Sequence, residues 1–244
     1  MKNSKPSLIF DIRYFSGNRH SYLDDHSITA YGRRLAWYLN SQGISLGAYH
    51  SLYLHFTSAM PTGEMEIDPY RGGDELWWLR RAHVGVAPDF PNVDNASEIA
   101  VRGTVAALRI QLTNADAVID QADIVVRHYA GDLRFLVREM VHRRYTIKIA
   151  TTIAVHPEPS HLYVTLVENA TGAHGETPGL PIGFYVNAFD EARSITLTDF
   201  DIDHSADGRL KIDWCERIRN GWAAAKPSVP AQPEPTYSRL VRRQ

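Results

Sequence analysis

Hydrophobic residues fall at every second position from Ser7 to Phe15, with Leu8, Phe10, Ile12 and Tyr14 in one set. A period of two is that of a β-strand, whose successive side chains point to opposite faces. After a polar stretch the period changes. Ser27 stands as an N-cap, and Ile28, Tyr31, Leu35, Tyr38 and Leu39 follow the spacing of a helix that Gly43 ends. Alternation returns over Ser51–Thr57, with Leu52, Leu54 and Phe56 on one side, and again over Glu64–Asp68, closed by Pro69 and by Gly72-Gly73. The segment Asp74–Ala87 holds the densest aromatic spot, Leu76-Trp77-Trp78-Leu79, followed by Arg80 and Arg81. Adjacent tryptophans cannot share one core stripe. One is expected in the core and the other at a surface or an interface.

A polar loop, Pro88–Asn95, leads into the helical middle of the chain. Ile99, Val105, Leu108 and Leu112 predict a helix that starts at Ser97, and Ala115, Val118, Ile119, Ala122 and Val126 predict a second over Asn114–Val126. Leu133, Leu136, Val137, Met140 and Val141 form the cleanest stripe and predict a third over Asp132–Arg144, with Arg143 and Arg144 suited to its C-terminus. Beyond Tyr145 the period is two again. Thr146–Val155 and His161–Glu168 read as a hairpin around Pro157 and Pro159, Gly172–Pro181 as a loop, and Ile182–Phe189, Ser194–Asp203 and Arg209–Trp214 as further strands, the last two joined by Asp207-Gly208. The predicted fold class is α+β. A central block of helices separates an N-terminal strand-helix-strand group from an antiparallel C-terminal β-sheet. Residues 1–225 are expected to form a single domain. Residues 226–244, with Pro227, Pro230, Pro233 and Pro235, are expected to form a flexible tail.

Composition adds a class. The chain has 244 residues, 44% hydrophobic, 22% charged and 10% aromatic, as in ordinary globular proteins. The sequence holds no run of the roughly 18 apolar residues that a membrane span needs and no secretory leader, so a cytoplasmic protein without membrane association is expected. One cysteine, Cys215, builds neither a disulfide nor a cysteine metal site.

Charge is unevenly placed. The net charge is −2, and residues 1–144 balance, whereas 145–226 carry 11 acidic and 7 basic side chains. Six acids (Asp190, Glu191, Asp199, Asp201, Asp203 and Asp207) fall within 190–207 against one base, Arg193. Asp199, Asp201 and Asp203 alternate with Phe200 and Ile202, so a strand here places three carboxylates on one face. Like charges in a row are unfavourable unless water, a cation or a basic partner compensates them. A solvated acidic edge is the plainer reading. A patch of this sign attracts basic partners and repels nucleic acid.

Tests for chemistry return little. The spacing Asp199, Asp201, Asp203 opens a calcium loop, but the glycine and the closing glutamate of that loop are replaced by His204 and Leu210. A metal-dependent hydrolase or nuclease using Asp199, Asp201, Asp203 and His204, with Lys211 nearby, is the enzyme alternative. Eleven histidines show no HExxH and no paired ligand spacing, and His50 and His55 fall on opposite sides of their strand. Asp24-Asp25-His26 sits in a loop and reads as solvated surface. No nucleophile elbow, Walker loop or dinucleotide fingerprint is present. No cofactor is expected, and no catalytic or metal residue is assigned. Arg134 and Arg138 share a face that could meet an anion or an acidic partner, and reads more simply as solvated.

A binding protein accounts for these features together. Tryptophan, tyrosine and arginine carry interface energy, and charge complementarity speeds association. The candidate partner-binding residues are Asp199, Asp201, Asp203, Trp77 and Trp78. With the Asp74-Glu75-Leu76-Trp77-Trp78 spot and a carboxylate-lined later strand, the chain resembles the immunity proteins of bacterial polymorphic toxin systems. That resemblance implies an inhibitor that binds a cognate toxin and blocks its active site or its access to target, with a basic protein as partner and no catalytic residues of its own.

Overall fold

In a computed structural model, residues 8–17, 21–69, 78–141, 145–172 and 174–195 are described. The fold is α+β, and it divides into two compact units, Met1–Leu133 and Arg134–Gln244. Among the described residues no helix is long and apolar enough to cross a membrane.

The first unit is built on a five-stranded sheet. Its strands are β1 (Asp11–Ser16), β2 (Ser21–Tyr22), β3 (Ser51–Thr57), β4 (Met65–Ile67) and β5 (Leu79–Gly85), in the order β2-β1-β3-β5-β4. The inner strands β1, β3 and β5 run parallel, and β2 and β4 are antiparallel at the edges. A parallel pair needs a crossover, and α1 (His26–Ser41) supplies the one between β1 and β3. Two further helices follow β5, α2 (Ala96–Gln111) and α3 (Asp116–Tyr129).

Helix packing divides the sheet into two unlike faces. Ile12 and Tyr14 of β1, Leu52, Leu54 and Phe56 of β3, and Ala82 and Val84 of β5 are buried on the face that α1 and α2 cover. Gly32 lets α1 approach closely: a Cβ there would stand 2.6 Å from Tyr14 Oη and 3.0 Å from the Ile12 carbonyl. From α2, Thr104 Oγ1 donates to Tyr14 Oη at 3.2 Å, and burial raises the Tyr14 phenol above its ordinary pKa. The third helix packs on the other two. Arg127 of α3 forms two hydrogen-bonded contacts with Glu98 of α2, at 3.0 and 3.1 Å, and a third with Asp123 at 3.0 Å. The Arg127 and Arg102 guanidiniums hold the Glu98 carboxyl below the usual carboxylate range.

The second unit is an antiparallel sheet of β6 (Phe135–Val141), β7 (Tyr145–Thr151), β8 (Ser160–Glu168), β9 (His174–Glu176) and β10 (Leu180–Gly183), in the order β10-β8-β7-β6, with β9 also paired to β8. One short helix, α4 (Ala188–Ser194), packs on β6 and β7. The hairpin β7–β8 is as the sequence predicts, with Tyr145 opposite Glu168 and Thr151 opposite Leu162.

Several expectations are corrected. The third helix over Asp132–Arg144 is the strand β6. Phe135, outside the helical stripe, is 3% exposed, whereas Val141, within it, is 71% exposed. Leu133, Phe135 and Val137 alternate as well as Leu133, Leu136 and Val137 fit a helix, and pairing with β7 selects the strand. The strand over Ile182–Phe189 stops at Gly183, whose φ is +69°, and gives way to a 3-10 turn, Tyr185–Asn187, and α4. Gly172–Pro181 is not wholly loop, since it contains β9. The N-cap of α1 is Asp25, not Ser27: Asp25 Oδ1 accepts from the amides of Ser27 at 2.8 Å and Ile28 at 3.2 Å. Ser194 ends α4. The rest of the strand over Ser194–Asp203 past Ile195, the strand over Arg209–Trp214 and the tail 226–244 lie outside the described residues.

Candidate partner-binding surface

Alternation along the inner strands places a second set of side chains on the face away from α1 and α2. Reading across β1, β3 and β5, one row holds Arg13, Tyr53 and Arg81, and the next holds Phe15, His55 and His83. Strand β4 adds Glu66 opposite His83. These are aromatic, basic and acidic residues where the helix-covered face is aliphatic and aromatic.

Their rings touch in sequence. Phe15 meets Tyr53 at 5.2 Å and stacks on His55 at 4.8 Å, and His55 stacks on His83 at 5.4 Å. Arg13 lies over Tyr53, its Cζ 5.5 Å from the ring centroid. His83 Nε2 is 3.1 Å from Asp68 Oδ1. Asp11, buried at the start of β1, accepts from Arg13 Nε at 2.5 Å, with Arg33 Nε 4.0 Å from its other oxygen.

Trp78 joins this track at the amino-terminal edge of the parallel strands. Its carbonyl accepts from the amides of His50 at 3.0 Å and Ser51 at 3.3 Å, which fixes the backbone just before β5. Its half-buried ring stacks on His50 at 5.2 Å and 8° and meets Tyr53 edge-on at 6.1 Å and 79°. Phe10, 56% exposed, touches the other end of the His50 contact at 6.4 Å. Seven rings therefore run in unbroken contact: Phe10, His50, Trp78, Tyr53, Phe15, His55 and His83. His50 lies just before β3, and Trp78, Tyr53 and Phe15 connect its ring to that of His55. Leu8 and Phe10, which alternate with Ile12 and Tyr14 in the sequence, precede β1 and are exposed, whereas Ile12 and Tyr14 are buried.

Of the candidate residues read from the sequence, Trp78 is the one that falls among the described residues. Trp77, Asp199, Asp201 and Asp203 lie outside them, as do His204 and Lys211 of the enzyme alternative. Among the described residues no group of three or more His, Cys, Asp or Glu side chains is placed to hold a metal ion. Sequence reading missed Arg13, Phe15, Tyr53 and His83. Its signal was present in the second phase of the alternation in β1 and β3, which carries aromatic and charged residues where the first phase carries the core.

The other clusters are structural. Asp25 caps α1 and also accepts from Ser97 Oγ of α2 at 2.7 Å. Partial burial works to raise its carboxyl pKa, but the hydrogen bonds from Ser97, Ile28 and Ser27 outweigh it and hold the group below the usual range. Arg134 is not a solvated cation: it donates to Glu176 at 2.6 Å and lies 3.8 Å over the Tyr163 ring. Arg138 Nη1 donates to the carbonyls of Ala192 at 2.6 Å and Ile195 at 2.9 Å, which satisfies the C-terminus of α4.

The chain matches no family model, and no curated protein or solved structure is similar to it.

Proposed function

We propose that this chain is a cytoplasmic binding protein of immunity or inhibitor type, which neutralises a basic, toxin-like protein partner. The observation that supports it best is the accessible end of the ring track, Phe10, His50, Trp78 and Tyr53, with Arg13 beside it, whereas Phe15 and His55 further along it are buried. These residue types dominate binding energy at protein interfaces, because they bury large areas at small entropic cost. The surface is mixed in sign, with Arg13 and Arg81 against Glu66 and Asp68. It supplies contact area rather than charge. The preference for a basic partner rests on the acids of 190–207, above all Asp199, Asp201 and Asp203.

The test is capture from the source organism's lysate with the parent chain, with Trp78→Ala and with the triple Asp199→Asn, Asp201→Asn, Asp203→Asn variant. One basic protein held by the parent and lost from both variants is the expected result. Co-expression should then protect cells from that protein. A captured partner held equally by all three chains at low salt would rule out both surfaces.

A further inference from the structure

Arg81 of β5 stands on the ring-lined face, and the parallel register sets it beside Tyr53 of β3, with Arg13 of β1 on the other side of Tyr53. The arginines at this end differ in what they hold. Arg13 donates to Asp11, and Arg80, on the helix-covered face, donates to Gln111 and Tyr49. Among the described residues the Arg81 side chain has no hydrogen bond or ion pair, although it is half-buried. The carboxylates of the neighbouring strands are otherwise placed. The Asp68 amide donates to the Arg81 carbonyl at 3.1 Å, but the Asp68 carboxylate meets His83. Glu66 lies opposite His83, one row further on, and buried Asp11 accepts from Arg13. A guanidinium carries five donors in a fixed fork. One partly withdrawn from water without an acceptor lacks the bonds that offset its desolvation.

We propose that Arg81 receives a carboxylate of the protein partner, whose apolar neighbour packs on Trp78 and Tyr53; this rests on the reading of the face as a protein-binding surface. The ligand chemistry follows from what surrounds the guanidinium. A carboxylate matches its fork with two parallel hydrogen bonds. Trp78 and Tyr53 are half-buried, so each keeps ring area that a lone anion would leave wet. An acidic side chain beside an apolar one satisfies both. A phosphate chain fits less well, because Asp68 and Glu66 bring negative charge to the adjoining strand. On a partner that is basic overall, such an acid fixes the docking register, since a cation in its place would meet Arg81.

Fluorescence anisotropy of three labelled probes tests this on the full chain, for the parent, Arg81→Met, Arg81→Lys and Trp78→Ala. The probes are a short peptide with glutamate beside phenylalanine, the same peptide with glutamine for glutamate, and an oligothymidine. The glutamate peptide should bind the parent about tenfold more tightly than the glutamine peptide, as a hydrogen bond between charged groups requires. Arg81→Met should lose that preference, and Arg81→Lys should keep part of it, because the charge stays while the fork is lost. Trp78→Ala should weaken both peptides alike. The urea midpoint of Arg81→Met should not fall below that of the parent, since the free chain loses no bond and the apolar stem is kept. Equal binding of the two peptides, or a preference that survives Arg81→Met, would overturn the proposal. So would a lower midpoint in Arg81→Met, or tighter binding of the oligothymidine than of the glutamate peptide. If Arg81→Met does not fold, an unreduced preference in Arg81→Lys would overturn it. The probes need no partner. If they behave as expected while the captured partner is held equally by the parent and Arg81→Met, the carboxylate site stands and the partner reading of this face fails.

Discussion

Tyr31 Oη of α1 donates to Asp123 Oδ1 of α3 at 2.6 Å. The same carboxylate oxygen takes Arg127 Nε at 3.0 Å, and Arg127 in turn holds Glu98, so one short network fastens α1, α2 and α3 together. Burial, and then the hydrogen bond to Asp123, push the Tyr31 phenol well above its ordinary pKa.

This relationship has an alkaline signature. Tyr14 and Tyr31 both stay protonated in the fold at pH values where an unfolded tyrosine ionises. Their contribution is complete below about pH 10 and is lost progressively above it, because the unfolded chain then sheds protons that the folded one keeps. The thermal midpoint should fall above that pH. Tyr31→Phe should cost about 1 kcal/mol at neutral pH and should make the alkaline fall shallower. An alkaline fall of unchanged depth in Tyr31→Phe would remove Tyr31 from this account.

Asp25 gives the acid side. Its depressed carboxyl contributes stability above the ordinary carboxylate range, and that contribution disappears as pH falls through the lowered value. Asp25→Ala also removes the cap of α1 and the link to Ser97, and should cost about 1–2 kcal/mol at pH 7. The variant should lose less stability than the parent on acidification from pH 6 to pH 3, as read by urea unfolding at each pH.

Ala130 is held at φ +43° and ψ −118°, at the C-terminal end of α3. An L-residue is strained there and glycine is not. Ala130→Gly should therefore raise the unfolding free energy by about 1 kcal/mol, against the usual loss when alanine becomes glycine. A lower midpoint in the variant would mean that the strain is not expressed in solution.

Trp78 separates stability from binding. Its ring is half-buried and touches His50 and Tyr53. Losing two such contacts by Trp78→Ala should cost about 1–2 kcal/mol, below the 3–5 kcal/mol of a core tryptophan. Affinity for the captured partner should fall at least tenfold, as for an interface anchor. Calorimetry of the same variant gives both values. A large stability loss with full binding would place Trp78 in the core rather than in the interface.

The strand Ser51–Thr57 was legible to its end residues, because Leu52, Leu54 and Phe56 alternate without a competing period. The segment from Asp132 to Arg144 was not. Its apolar residues satisfy two periods at once, and a short segment takes the conformation that its neighbours can pair. Arg138 shows the same limit at the level of one side chain. Its distance from Arg134 suggested a solvated basic face, whereas a bulge between Leu136 and Arg138 and the end of α4 give the guanidinium main-chain carbonyls to bind. The ring surface was half legible. Trp78 stood out as one of a tryptophan pair, but Phe15, Tyr53, His55 and His83 come from three separate stretches of chain.

The sequence by itself determined the fold class and most element positions, because these follow from local periodicity and from turn residues. Tertiary structure decided the parallel order of β1, β3 and β5, the strand identity of β6, and the assembly of a ring-lined face opposite the helices. The physical reason is register. Each strand specifies which residues share its side, but only hydrogen-bonded pairing with a distant strand brings Phe15 beside His55 and His55 beside His83.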